Sequence, residues 1–296
     1  MKEKIFIIII ISLLPFITKG QYIPQFSQLL KTLEFVNPGY NASKNTASAT
    51  LLYRNQWTGF EGAPNSMAAN VNVPVNKWHT GFGLNTMVET LGLINQSYID
   101  LTACTDVKMS GNSYLTFGIS GGAEIRRLDM NKAIYENTNI YSPDLYNSEN
   151  LHIGAGINYF TNSLHLGASM HFIPLNNAYK QNEMYSFYLN GSYLFPVSEN
   201  WVIKPAVLYK TWGGYSAFDA GLFLLFKDLL WGGISYRVND AIIFFADVKI
   251  TDMIRLGYSF DYGVHHLNWF NNGSHELRIE FTMPRPKTQF ERIAIN

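Results

Sequence analysis

The sequence predicts an all-β protein, a transmembrane antiparallel β-barrel of about 14 strands preceded by a cleaved signal peptide. From Ser48 onward, apolar and polar residues alternate with a period of two through short segments, as antiparallel strands require. The polar faces of these segments carry small or charged residues, whereas the opposite faces carry large apolar ones. Charged residues make up 15% of the chain and aromatic residues another 15%, against roughly 25% charged residues in soluble proteins. Few charges and many aromatic residues argue against an ordinary cytosolic enzyme.

The overall charge of the chain does not indicate a binding partner. The 22 basic and 22 acidic residues cancel, so no long-range field would attract nucleic acid or an anionic surface. The single cysteine, Cys104, cannot form an internal disulfide or a thiolate metal cluster, and we expect it to be a small buried or lipid-facing residue.

Residues 1–20 have the features of a secretory signal peptide. Lys2 and Lys4 precede an apolar run from Ile5 to Leu14, and small residues follow up to Gly20. The run is shorter than the roughly 20 residues that a transmembrane helix needs, and no cysteine follows it to carry a lipid anchor. We predict cleavage after Gly20. The expected divisions are then a periplasmic entry segment at 21–47, the barrel at 48–283 and a C-terminal tail at 284–296.

Fourteen segments have strand-like alternation, most of them long enough to span a bilayer at roughly 9–11 residues. They lie near 48–54, 66–75, 80–89, 96–107, 113–124, 151–160, 164–173, 184–195, 201–210, 215–226, 229–237, 241–248, 252–262 and 274–283. The even-numbered connections are mostly brief, whereas the odd-numbered set contains the long ones at 55–65, 125–150, 174–183 and 263–273. Outer-membrane barrels have short periplasmic turns and longer extracellular loops, so both mature termini are expected in the periplasm. The loose helical spacing of residues 26–35 predicts a short periplasmic or lumenal segment.

The two faces of the segments distinguish a membrane barrel from a soluble sandwich, whose shared interior must be apolar. Segments 151–160 and 164–173 place glycine, serine, asparagine and histidine on one face and leucine, isoleucine and alanine on the other. Alternation also predicts a set of lumenal charges that pair across the seam between the first and last strands: Arg54, Arg255, Asp261, Glu276, Arg278 and Glu280.

The sequence matches to catalytic and metal-binding motifs do not predict a catalytic or metal site. Residues 118–122 match the G-x-S-x-G pattern of serine hydrolases, but Ser120 lies inside an alternating strand with no helix following, so the nucleophile elbow is not expected. The seven histidines lack metal-site spacing. His165 and His171, for example, would lie about 20 Å apart on one strand. We therefore expect no enzyme activity, cofactor or metal.

Arg126 and Arg127 open the longest predicted loop, which continues through Tyr135, Tyr141 and Tyr146. These residues form either a solvated loop with aromatic self-packing or a partner surface, because arginine and tyrosine are favoured at interfaces and loops carry function on rigid scaffolds.

Three short runs carry a family resemblance: Gln25-Phe26-Ser27-Gln28, Asn37-Pro38-Gly39-Tyr40 and Tyr53-Arg54-Asn55-Gln56-Trp57. In order and spacing they resemble the PorP/SprF family of outer-membrane proteins, which is associated with type IX secretion and gliding motility in Bacteroidota. The chain departs from the family in Gly39-Tyr40-Asn41 and in the residues beyond Phe281.

The resemblance implies a non-enzymatic outer-membrane barrel, in contact with lipid and with secretion or motor components. It would support secretion or surface attachment of cargo that bears a C-terminal type IX signal, such as gliding adhesins. Its candidate partner-binding residues are Tyr53, Arg54, Asn55, Gln56 and Trp57, together with the arginines and tyrosines of the long loop. The main alternative is a diffusion porin or small-solute channel, and an outer-membrane lipase is a distant third.

Overall fold

A computed structural model of the protein describes residues 25–44, 46–129, 147–172, 185–212, 215–264 and 271–284. The predicted signal peptide, the tail beyond residue 284 and Tyr135, Tyr141 and Tyr146 lie outside these ranges. Within them, no helix has both the length and the apolar character needed to cross a membrane.

The structure is a closed antiparallel barrel of 14 wall strands, which confirms the predicted fold class. Each strand pairs with its neighbours along the chain, and the last strand pairs with the first to close the wall. The strands are β1 Ser48–Asn55, β2 Asn65–Val75, β3 Thr80–Leu91, β4 Ile94–Lys108, β5 Tyr114–Leu128, β6 Ser148–Phe160, β7 Leu164–Phe172, β8 Tyr185–Tyr193, β9 Phe195–Pro196, β10 Trp201–Trp212, β11 Tyr215–Phe226, β12 Leu230–Arg237, β13 Ala241–Lys249, β14 Ile254–Gly263 and β15 Ser274–Thr282.

The predicted strand 184–195 is divided into β8 and β9, which both pair with β10. Residue 194 separates the two pieces, opposite the part of β10 that contains Pro205. Proline has no backbone N–H to donate to a neighbouring strand. The pairing of β10 with the preceding chain therefore stops at β8 and resumes at β9, on the other side of Pro205. The two pieces together form one wall strand.

The wall is tallest at β4, β5 and β6, which continue beyond the predicted limits. Arg126 and Arg127 were expected to open a loop, but they lie in β5, paired with Gln96 and Asn95 of β4. Arg127 also forms an ion pair with Glu149 of the neighbouring β6. The two arginines therefore belong to the rigid wall.

The outer face is apolar, as a surface against lipid must be. In β15, Leu277 and Ile279 are exposed outward, whereas Glu276, Arg278 and Glu280 are buried inside. The same alternation runs through β1 and β14, so the predicted lumenal charges do face inward.

The lumen contains residues 25–44, which we call the lumenal segment. It consists of three short 3₁₀ helices, Ser27–Leu30, Leu33–Phe35 and Pro38–Ser43, and nearly all of its residues are buried against the inner wall. The sequence predicts a periplasmic entry segment at 21–47, within which residues 26–35 are either periplasmic or lumenal. The described part of that range lies inside the barrel instead, because the wall offers it matching charges, glycines and an apolar patch.

Candidate functional site

Ser27 of the lumenal segment contacts the wall close to the seam between β1 and β15. The Ser27 hydroxyl donates a hydrogen bond to Asp261 Oδ1 at 2.7 Å, and its backbone N–H donates to Glu276 Oε2 at 2.6 Å. The next backbone N–H, that of Gln28, donates to Glu276 Oε1 at 3.0 Å. One carboxylate thus satisfies two N–H groups at the start of a helical turn, which otherwise lack partners.

Arg54 completes this contact from the opposite strand. Its side chain is 3% exposed, and its Nη2 lies 2.8 Å from Asp261 Oδ2 while its Nη1 lies 3.4 Å from Glu276 Oε2. The same Nη1 donates to the hydroxyl of Ser27. The first and third family motifs therefore meet at one buried cluster, and Arg54 joins the two strands of the seam to the lumenal segment.

A second set of ion pairs holds the middle and the end of the lumenal segment. Lys31 Nζ lies 3.3 Å from Asp247 Oδ2 and 4.3 Å above the ring of Trp231. Lys44 Nζ lies 3.0 Å from Glu34 Oε1, within the segment, and 3.7 Å from Glu280 Oε1 of the wall.

Arg278 of the wall joins these two contacts. It pairs with Asp247 and, at 2.5 Å, with Glu280 Oε2. Positive and negative side chains therefore alternate through a buried network, the arrangement in which buried charges are tolerated.

The second family motif, at Asn37-Pro38-Gly39, docks in a notch made by glycines of β5 and β6. The Asn37 side chain accepts from Gly39 N–H at 3.0 Å and donates to Asn158 Oδ1 at 2.9 Å. A Cβ added at Gly118 would lie 2.5 Å from Pro38 O and closer still to other backbone atoms of the motif. A Cβ at Gly156 would collide with the Asn37 side chain. The glycines allow two backbones to approach closely.

An apolar patch of the inner wall receives the leucines of the lumenal segment. Leu208, Phe223, Trp231 and Ile243 point inward from β10 to β13 and are almost fully buried. They form one cluster with the apolar side chains of the lumenal segment: Phe26, Leu29, Leu30, Leu33, Val36 and Tyr40. Sequence reasoning missed this patch, although β11 and β13 carry continuous apolar runs, the pattern of strands that are covered on both faces.

The other predicted partner residues of the first strand lie at the rim where β1 ends. Tyr53 faces outward, 40% exposed, and its hydroxyl accepts from Asn65 Nδ2 at 3.0 Å. Beyond β1, the backbone N–H of Gln56 donates to Pro64 O at 3.0 Å, and that of Trp57 donates to Ser274 Oγ at 3.1 Å. Tyr53, Asn55, Gln56 and Trp57 therefore form one side of this rim. Arg54 differs from them because it is buried in the lumen.

Arg126 and Arg127 lie in the last three residues of β5, at the same end of the barrel but several strands away. Arg127 is exposed and pairs with Glu149, whereas Arg126 points inward, with its Nη2 3.4 Å from Glu124 Oε1. The structure therefore places Arg126 and Arg127 at the same end of the barrel as residues 53–57.

The G-x-S-x-G match at residues 118–122 is centred on Ser120. It lies within β5 with its side chain inward, and its buried hydroxyl has no hydrogen-bond partner among the described residues. In the same described ranges, no group of three or more His, Cys, Asp or Glu side chains could hold a metal ion. Cys104 is buried, with its Sγ 3.3 Å from the carbonyl oxygen of Gly81.

Comparison with known proteins gives one family. The family model described as "Type IX secretion system membrane protein PorP/SprF" matches residues 18–281. No curated protein matches the chain.

The solved structures that resemble the barrel are distant in sequence. Omp33 of Acinetobacter baumannii is 8% identical with a TM-score of 0.47, over 80% of this chain and 98% of that one. A TodX mutant, titled a monoaromatic hydrocarbon channel, is 9% identical with a TM-score of 0.46, over 90% of this chain and 95% of that one. The KdgM porin is 10% identical with a TM-score of 0.39, over 80% of this chain and 99% of that one. Similarities this weak say nothing about function.

Proposed function

This chain belongs to the PorP/SprF family of type IX secretion system membrane proteins, and from that premise we propose that it is a non-enzymatic accessory barrel of the outer membrane. In this proposal it supports the secretion or surface attachment of cargo proteins that carry a C-terminal type IX signal, gliding adhesins among them. Its partners are that cargo and the other components of the secretion or motor apparatus.

The observation that supports this proposal over a diffusion porin is the occupied lumen. A porin leaves an aqueous channel through its barrel. Here the inward charges that would line a channel pair with one another and with the lumenal segment, as at Asp247 and Glu280. The segment also covers an apolar inner patch, which an open aqueous channel would leave exposed to water at a cost in free energy.

We propose that partners contact the rim where β1 and β5 end, which carries the longer connections and so faces the cell exterior. Tyr53, Asn55, Gln56 and Trp57 supply one side of it. Arg126 and Arg127, with the tyrosines 135, 141 and 146 that follow in the chain, supply the other. Aromatic residues and arginine are enriched at interface centres. Arg54 acts through the lumenal segment, because its own side chain is buried.

A deletion strain complemented with variants tests this function. Deletion should remove type IX cargo from the cell surface, measured by mass spectrometry of surface-released peptides, while nutrient uptake remains unchanged. Affinity capture from cross-linked native membranes should recover type IX components. Normal surface cargo together with a loss of solute uptake would instead favour the porin.

Trp57→Ala tests the partner-binding rim. It should reduce surface cargo while the barrel still shows heat-modifiable mobility on gels. Trp78→Ala is the matched control, because Trp78 is exposed at the opposite end of the barrel, in the turn between β2 and β3. If Trp57→Ala abolishes the folded barrel, or if both variants reduce cargo equally, the assignment of this rim fails.

A further inference from the structure

The two ends of the barrel can be told apart by their connections. One end carries the long connections 56–64, 129–147, 173–184 and 264–273, and the other carries only shorter ones such as 161–163 and 227–229. In outer-membrane barrels the long loops are extracellular. β1 therefore starts in the periplasm at Ser48 and ends at the cell exterior.

The lumenal segment begins at the extracellular end. Gln25 Nε2 lies 3.4 Å from Asp240 Oδ2, and Asp240 lies in the extracellular connection between β12 and β13. The carbonyl oxygen of Phe26 accepts from Nη2 of Arg237, the last residue of β12, at 3.3 Å. From there the chain descends to Lys44, which pairs with Glu280 near the periplasmic end of β15.

The distance from Gln25 to the periplasmic end of the barrel is larger than the length that the mature chain before Gln25 can span. The backbone N–H of Val264 donates to the carbonyl oxygen of Asp240, so the two residues lie at the same height in the barrel. Val264 is ten residues along the chain from Ile254, where β14 starts at the periplasmic end. Ten residues span about 33 Å along a strand, or about 25 Å along the axis of a barrel whose strands tilt by about 40°. With cleavage after Gly20, residues 21–24 extend about 14 Å at most. Even with the length of the Gln25 side chain allowed for, they cannot return to the periplasm.

We infer that the lumenal segment threads the barrel from outside to inside, so that the mature amino end lies at the extracellular mouth. This reverses the sequence-based expectation that both mature termini are periplasmic. The amino end then joins the loops as part of the surface that faces the cell exterior, and the segment is fixed at both ends of the lumen.

Cysteine labelling of intact cells tests the inference. In a Cys104→Ser background, Tyr22→Cys should react with a membrane-impermeant maleimide before the cells are permeabilised, as should the control Glu61→Cys in the extracellular connection after β1. The control Asp252→Cys, in the periplasmic turn after β13, should react only after permeabilisation. Heat-modifiable mobility verifies that each variant is folded.

Every labelling outcome decides the question. Reaction of Tyr22→Cys from outside, at least tenfold above that of Asp252→Cys, supports the threading. Reaction only after permeabilisation, or no reaction in a folded barrel under either condition, overturns it. Ile23→Cys repeats the test in case the change at residue 22 prevents folding, and mass spectrometry of the mature protein locates the cleavage.

Discussion

Gly118→Ala should loosen the lumenal segment without opening the barrel. The new methyl group would lie 2.5 Å from Pro38 O, whereas carbon atoms pack best at about 3.5–4.0 Å. Backbone atoms cannot rotate away, so the segment must move by about 1 Å or more. Overpacking of this kind typically costs about 1–3 kcal/mol, which makes local opening about 5- to 150-fold more frequent.

Hydrogen–deuterium exchange of the peptide that covers residues 36–41 measures this opening directly. Gly121→Ala is the matched control on the same strand, because a Cβ there meets nothing within 4 Å. It should leave exchange unchanged, with a stability effect within about 0.5 kcal/mol. Equal exchange in the two variants would refute the docking of Asn37-Pro38-Gly39 in the glycine notch. Loss of the folded barrel in Gly118→Ala alone would refute the claim that the wall forms independently of this contact.

Three further substitutions test the wall and its buried charges. Arg278→Leu should lower the free energy of unfolding by about 3 kcal/mol, the low end of the cost of breaking a buried ion pair, because Asp247 keeps Lys31 and Glu280 keeps Lys44 as counter-charges. Arg127→Leu, which removes an exposed pair, should cost about 1 kcal/mol or less in the same urea titration. Ile279→Arg, on the lipid face, should lower the free energy of unfolding by about 2–4 kcal/mol, and Tyr262→Arg, near the extracellular interface, should lower it by about 0–1 kcal/mol. Equal losses of stability in the two variants would contradict the assigned membrane depth. Arg54→Gln should speed proteolysis of the lumenal segment while heat-modifiable mobility persists; unchanged proteolysis would show that Arg54 does not hold the segment.

The wall was predictable from sequence because its signal is local. Alternation along single strands gave the strand number and the inward direction of Arg54 and Glu276, since side chains in a strand point to opposite faces in turn. The break at residue 194 was less visible, because Pro205, which accompanies it, lies on the neighbouring strand. Arg126 and Arg127 were assigned to a loop because the strand pattern fades there, yet cross-strand pairing extends the ladder through them.

The lumenal segment was not predictable in the same way. Its helical spacing indicated a short amphipathic piece, but its position depends on contacts between residues far apart in sequence, such as Ser27 with Asp261 and Asn37 with Asn158. The periodic pattern of apolar and polar residues does not predict contacts between residues so far apart in the sequence. The motif containing Arg54 was read as a recognition surface, whereas this arginine is buried against the segment.

Ion conductance in planar lipid bilayers tests the occupied lumen most directly. Purified wild-type protein, inserted at single-molecule density, should give no steady conductance, because residues 25–44 lie inside the lumen and are buried against its wall. Arg54→Gln should give brief opening events, since the segment loses one of its anchors. Stable open-channel steps from the wild-type protein, equal in size to those of the variant, would contradict a lumen closed by this segment and would support the porin instead.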